Sequence, residues 1–194
     1  MSNEPLRLAV IISSVRDGRF GPVVGKWIAE RAKGREDLTV DVIDLKDHDL
    51  PAALSYSPSP EAAEILGQVS PRLEAADAYI VVTPEYNHSF PASIKQLIDW
   101  NYSQWRAKPV GFVSYGGLSG GLRAVEQLRP VFAELHAVTV RDAVSFHMAW
   151  EQFNEDGRPK DETGPAGAAK VLLDQLAWWG NALREARAKN PYQA

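Results

Sequence analysis

Three short stretches of the 194-residue chain carry side chains and backbone suited to holding a ligand. The first runs Ser13-Ser14-Val15-Arg16-Asp17-Gly18-Arg19-Phe20-Gly21-Pro22 and sets two hydroxyls and two arginines ahead of a helical pattern. A helix start gathers free N–H groups and the positive end of the helix dipole, so these side chains there suit an anion, a phosphomonoester better than a pyrophosphate. The second, Thr83 to Pro91 (TPEYNHSFP), combines turn formers with aromatic and polar handles at Pro84, Tyr86, Asn87 and His88. The third, Ser114 to Gly121 (SYGGLSGG), has glycines at 116, 117, 120 and 121, so its backbone can lie close to a flat ligand and aim N–H groups at it. Taken singly, each stretch also has an ordinary reading: a capped turn with solvated arginines, a turn ahead of a Ser89 cap, and glycines serving helix packing.

Other chemistries lack their residues. The chain has no cysteine, which removes disulfides, thiolate metal sites and cysteine nucleophiles and leaves any redox work to a bound cofactor. His48, His88, His136 and His147 show no metal-ligand spacing. Neither G-x-S-x-G, G-x-x-x-x-G-K-[ST] nor G-x-G-x-x-G occurs. Asp44 stands where a nicotinamide-dinucleotide fold keeps its ribose-binding acid, but without the preceding glycine fingerprint it reads as a strand-end or loop residue. Trp100, Trp105, Trp150, Trp178 and Trp179 read mainly as core or subunit packing.

The elements that must position these stretches follow from apolar periodicity. Short apolar runs at Leu6 to Ile12, Ala78 to Thr83 and Pro109 to Tyr115 read as strands buried on both faces; Leu38 to Leu45 alternates as an edge strand would, and Val138 to Phe146 is a fifth strand. Helical spacing appears at Val24, Trp27, Ile28 and Ala32, closed by Gly34, and at Ile94, Leu97 and Ile98 after Pro91. It recurs at Val125, Leu128, Phe132 and Leu135, where Pro130 predicts a kink, and at Leu172, Leu176, Trp179 and Leu183. Ala62, Ile65, Leu66 and Val69 fit a helix that Gly67 and Pro71 are expected to interrupt, and residues 46–60 read as irregular. Strands alternating with amphipathic helices mean a parallel sheet covered on both faces. In such a sheet ligands sit beyond the carboxyl ends of the strands, where all three stretches fall.

Composition bounds the setting. Lys and Arg number 21 against 25 Asp and Glu, a net charge of −4, so no large basic face is available for nucleic acid. No run of 18 apolar residues and no signal peptide is visible, and the expectation is one cytoplasmic domain that does not enter a membrane.

Together, SSVRDGRFG, TPEYNHSFPASIKQLIDW and SYGGLSGGLRAVEQLR resemble the NADPH-dependent FMN reductase family of flavodoxin-like proteins, with P-E-Y-N-x-S-x-P the most specific part. The resemblance covers the chain from the first strand through the fifth. It implies a flavodoxin-like three-layer α/β sandwich with a five-stranded parallel sheet in the order 2-1-3-4-5. It also implies noncovalent FMN, its phosphate held by Ser14, Arg16, Arg19, Phe20 and Gly21 and its ring lying against Pro84, Glu85, Tyr86 and Asn87 and against Ser114, Tyr115, Gly116 and Gly117. The implied activity is hydride transfer from NADPH or NADH to FMN N5, then reduction of a quinone, azo compound, metal oxyanion or free flavin, with no obligatory catalytic acid or base. Family members commonly form homodimers or homotetramers. An FMN-binding electron carrier of the flavodoxin type, without NADPH turnover of its own, is the alternative.

Overall fold

The computed structural model describes residues 4–193. Five strands, β1 (Leu6–Ile12), β2 (Leu38–Asp44), β3 (Ala78–Pro84), β4 (Pro109–Tyr115) and β5 (Val138–Phe146), form one parallel sheet in the order β2-β1-β3-β4-β5. The helices are α1 (Gly21–Lys33), α2 (Pro60–Ala75), α3 (Ala92–Trp100), α4 (Leu122–Glu134), the short α5 (Ala149–Gln152) and α6 (Thr163–Lys189).

Successive strand residues point to opposite faces, and both faces are covered. Leu6, Leu8 and Val10 of β1 join a core with Val24, Trp27 and Ile28 of α1 and Leu172, Leu173 and Leu176 of α6. Their neighbours Ala9 and Ile11 join a second core with Val69 and Leu73 of α2, Ile94 and Leu97 of α3 and Leu128 and Phe132 of α4. Every residue of β3 and β4 is buried, as continuous apolar runs require, whereas β2 and β5 are the sheet edges and keep partly wet faces.

One expectation about the helices fails: α2 runs unbroken through Gly67 and Pro71, and α4 likewise continues through Pro130. Each proline leaves one carbonyl four residues back without its helical donor, Gly67 for Pro71 and Glu126 for Pro130, and both of those residues are exposed to water. The buried faces, Ala62, Val69 and Leu73 in α2 and Val125, Leu128 and Phe132 in α4, hold the helices together across the missing bonds. Of the tryptophans expected in core or subunit packing, Trp105 is fully buried against Tyr79 and Phe132, and Trp150 and Trp178 are exposed on the single chain.

Because β1, β3 and β4 are adjacent and parallel, their carboxyl ends lie side by side. The connections 13–20, 85–91 and 116–121 leave the sheet at that one edge, where the strand order reverses after β1.

Candidate functional site

The loop after β1 is built around uncommitted donors. Ser13 N–H extends the β1–β3 ladder to Val82 O at 3.0 Å, and beyond it no protein acceptor among the described residues takes the backbone N–H of any residue from Ser14 to Gly21. The hydroxyl of Ser13 is buried and likewise unpaired. Residues 15–18 are exposed and Ser13, Ser14 and Gly21 buried, and free N–H groups gathered in this way at the start of α1 suit an anion. Gly21 is needed for closeness: a Cβ there would lie 2.2 Å from Ser14 Oγ and 2.9 Å from Tyr115 Oη.

Each residue expected at the phosphate end has a defined place. Ser14 is buried; its Oγ accepts from Tyr115 Oη at 3.1 Å, and its carbonyl accepts from Arg19 Nη1 at 2.7 Å. Arg19 grips Asp44 with both terminal nitrogens, at 2.5 and 2.7 Å. Its bond to the Asp44 carboxylate raises the guanidinium pKa further against the opposing cost of burial. Arg19 therefore shapes the loop, and Arg16 is the arginine left facing solvent, 5.5 Å from the centre of the Tyr86 ring. Phe20 anchors the loop by edge contacts with Tyr115 and Phe153, with ring centres 6.2 and 5.3 Å apart.

The loop after β3 closes on itself. Tyr86 and Ser89 exchange backbone hydrogen bonds at 2.8 and 3.0 Å around Asn87 and His88, both with positive φ (49° and 72°). This is the two-residue turn of a hairpin, which here leaves the N–H groups of Asn87 and His88 free of acceptors among the described residues. Pro84 ends β3 beside Tyr115, and its carbonyl accepts from Thr83 Oγ1. Burial raises the phenol pKa of both Tyr86 and Tyr115, so both hydroxyls stay protonated at neutral pH. Ser93, at the start of α3, donates its hydroxyl to the Ser13 carbonyl and so ties the first and second loops together.

The loop after β4 is pinned at its base and open above. Ser114 Oγ and Ser145 Oγ both donate to Gly120 O at 2.9 Å. Gly116 and Gly117 carbonyls accept from Ala149 and Met148 of the segment after β5, and Gly116 N–H donates to Phe146 O. Gly120 and Gly121 have φ of +60° and +85°, a region in which a side chain is strained. The N–H groups of Gly117, Leu118 and Ser119 have no protein acceptor among the described residues.

The predicted residues from all three loops thus assemble at one edge of the sheet. Glu85, expected against a ring, bonds its carboxylate to Ser119 and Arg123. Asp44, read as a strand end, does end β2, but it also holds Arg19. The signal for that pairing is positional: an acid at the end of β2 lies beside an arginine in the loop after the adjacent β1. Ser13 and Ser119 lie within the predicted stretches without a contact assigned to them, and Ser93 and Arg123 went unassigned because no local motif distinguishes them. The segment after β5 was also missed; its Trp150 ring comes to within 3.5 Å of where a Cβ on Gly117 would be.

Taken as a whole, the arrangement defines a flavodoxin-like α/β protein with an amide-rich anion cradle at one end of its site and a glycine-lined shelf with further free amides at the other. FMN fits this donor set: a phosphate for the free amides from Ser14 to Gly21, and a polar ring edge for those of Asn87, His88, Gly117, Leu118 and Ser119. The chain belongs to the NADPH-dependent FMN reductase family, whose pattern matches residues 6–151.

Among its relatives, an NAD(P)H-dependent FMN reductase of Schizosaccharomyces pombe is 32% identical over 125 residues, covering 59% of this chain and 60% of that protein. A quinone reductase of Pseudomonas putida is 27% identical, covering 89% and 93% of the two chains. The chain spans 60% of the length of the fission-yeast relative and 65% of that of a Nectria FMN reductase. A solved structure, the flavoenzyme NAD(P)H:(acceptor) oxidoreductase FerB from Paracoccus denitrificans, superimposes with a TM-score of 0.70 at 25% identity, covering 91% of this chain and 98% of that one. Among the described residues no helix is long and apolar enough to cross a membrane.

Proposed function

We propose that this protein is an NAD(P)H-dependent FMN reductase that delivers electrons to small planar acceptors of the quinone class. The observation that carries the reading is the run of unpaired backbone N–H groups from Ser14 to Gly21 at the start of α1, facing the same sheet edge as the free amides of the second and third loops. FMN, when bound, supplies the two-electron chemistry that accepts hydride from the nicotinamide and passes electrons on.

The protein's part is to bind and orient. Amides at the α1 N-terminus hold the phosphate through their own polarity and the helix dipole, and Arg16 adds positive charge from the solvent side. Free amides of the loops after β3 and β4 would meet the polar edge of the ring and would favour negative charge there. The exposed faces of Leu118 and Trp150 leave room above the shelf for a flat second reactant. No side chain in the site is needed to move a proton.

Azo compounds, metal oxyanions and free flavin belong to the same reading as further acceptors, since an open shelf discriminates weakly among them. A cytoplasmic homodimer or homotetramer also belongs to it, supported by exposed Leu54, Tyr56, Tyr102 and Leu118 on a small domain. Steady-state assays with NADPH and NADH against a para-quinone, with and without added FMN, test the activity. FMN-dependent turnover is expected, and none with either nucleotide would overturn the reading. Sedimentation at micromolar concentration tests the assembly, and monomer alone would remove that part.

A further inference from the structure

Helix α4 starts at Gly121, which has no side chain to cap it. The free N–H of Arg123, in the first turn, donates instead to Glu85 Oε2 at 3.2 Å, reaching across from the loop after β3. The same carboxylate accepts from Ser119 Oγ at 2.5 Å and from Arg123 Nη1 at 3.1 Å. The Glu85 side chain is 9% exposed and Arg123 44%, so the carboxylate is largely shielded while its partner arginine meets solvent, and the α4 dipole adds to the bonds. One turn further along α4, Gln127 accepts from Ser89 Oγ at 2.5 Å and donates to His88 O at 2.7 Å, gripping the tip of the same loop.

We propose that Glu85 is a positioning residue that clamps the loop after β3 to the loop after β4 and so sets the separation of the two walls of the ring site. The inference rests on the flavin reading of that site. Ser119 sits in a stretch whose neighbours Gly117 and Leu118 offer free amides, and whose Leu118 is 86% exposed. The Glu85 carboxylate fixes Ser119 and the α4 start at once, so the free amides are held in place before any ligand arrives. Ordering a loop on binding costs affinity, and a clamp made in the free protein removes that cost. Its three donors leave the carboxylate little capacity for a ligand of its own.

The test is titration of FMN-free protein with FMN, followed by quenching of flavin fluorescence, with the visible absorbance of the bound flavin as second readout. Wild type, E85A, E85Q, S119A and R123A are compared. Removing charged hydrogen bonds predicts FMN affinity about tenfold weaker or more in E85A and about two- to fivefold weaker in S119A and R123A. E85Q recovers part of the loss because its amide oxygen still accepts from Ser119 and Arg123 N–H. The bound-flavin absorbance of E85A loses the fine structure that a rigid site imposes.

Wild-type affinity and an unchanged spectrum in E85A overturn the clamp while leaving the flavin reading intact. Should E85A fail to fold, wild-type affinity in both S119A and R123A overturns it equally. Failure of the wild-type protein to take up FMN overturns the flavin reading itself.

Discussion

Arg19 and Asp44, 25 residues apart, meet in a two-point ion pair at 2.5 and 2.7 Å at the carboxyl edge of the sheet. With Arg19 Nη1 also on the Ser14 carbonyl, the pair buckles the loop after β1 onto the end of β2. Its side chains are 15% and 20% exposed, so removing one partner strands a partly desolvated charge. The D44A variant is expected to lose about 2 kcal/mol of unfolding free energy in urea, and R19A a similar amount. The double variant should lose clearly less than the sum. Additive losses would show that the two residues do not act together.

The glycines of the third loop divide by geometry. A Cβ on Gly121 would lie 2.7 Å from Ser114 Cβ with the backbone at φ +85°, whereas a Cβ on Gly117 meets only Trp150, at 3.5 Å. G121A is expected to cost about 2–3 kcal/mol and G117A less than about 0.5 kcal/mol, measured by chemical unfolding. Equal losses would contradict the conformations assigned to this loop.

In the second loop the strained residue is His88. Both centre positions of the Tyr86–Ser89 turn have positive φ, which Asn87 tolerates and His88 tolerates less well. H88G is expected to raise stability by up to about 1 kcal/mol in thermal or urea unfolding, because glycine adopts that conformation without strain. A loss of stability would show that the imidazole makes contacts outweighing the backbone term.

How far these features could be read beforehand depended on whether they are local. Apolar runs such as residues 109–115 and the spacing Leu172, Leu176 and Trp179 are patterns along the chain, so strands, helices and the ligand edge were legible. The continuity of α2 through Pro71 was not, because burial of Val69 and Leu73 by distant strands decides it. Glu85 could be assigned to the site, but not the direction of its carboxylate, since Ser119 and Arg123 lie 34 and 38 residues away. Arg19 belongs with it: its type suggested an anion ligand, and its partner Asp44 is known only once β2 and β1 are adjacent.

At the opposite end of the sheet, Lys108 is 5% exposed and donates to Leu73 O, Glu74 O and Tyr79 Oη, closing the carbonyl end of α2. Burial lowers its pKa from 10.5 to about 8. Between those values the unfolded chain binds the proton and the folded one does not, so this group makes stability rise as pH increases from about 8 towards 10.5 and fall on the way back. The difference in unfolding free energy between wild type and K108M, followed from pH 7.5 to 9.5, is expected to grow in favour of wild type. A flat difference would mean that the ammonium is not desolvated.

The central claim is that the three loops at the sheet edge hold an FMN that NADPH can reduce. Its most direct test is the visible absorbance of the FMN-loaded, gel-filtered protein before and after anaerobic NADPH. The account predicts flavin absorbance that travels with the protein, bleaches on adding NADPH alone and returns when a quinone is added. Protein that emerges colourless after incubation with FMN would contradict it, and so would bound flavin that stays yellow under NADPH.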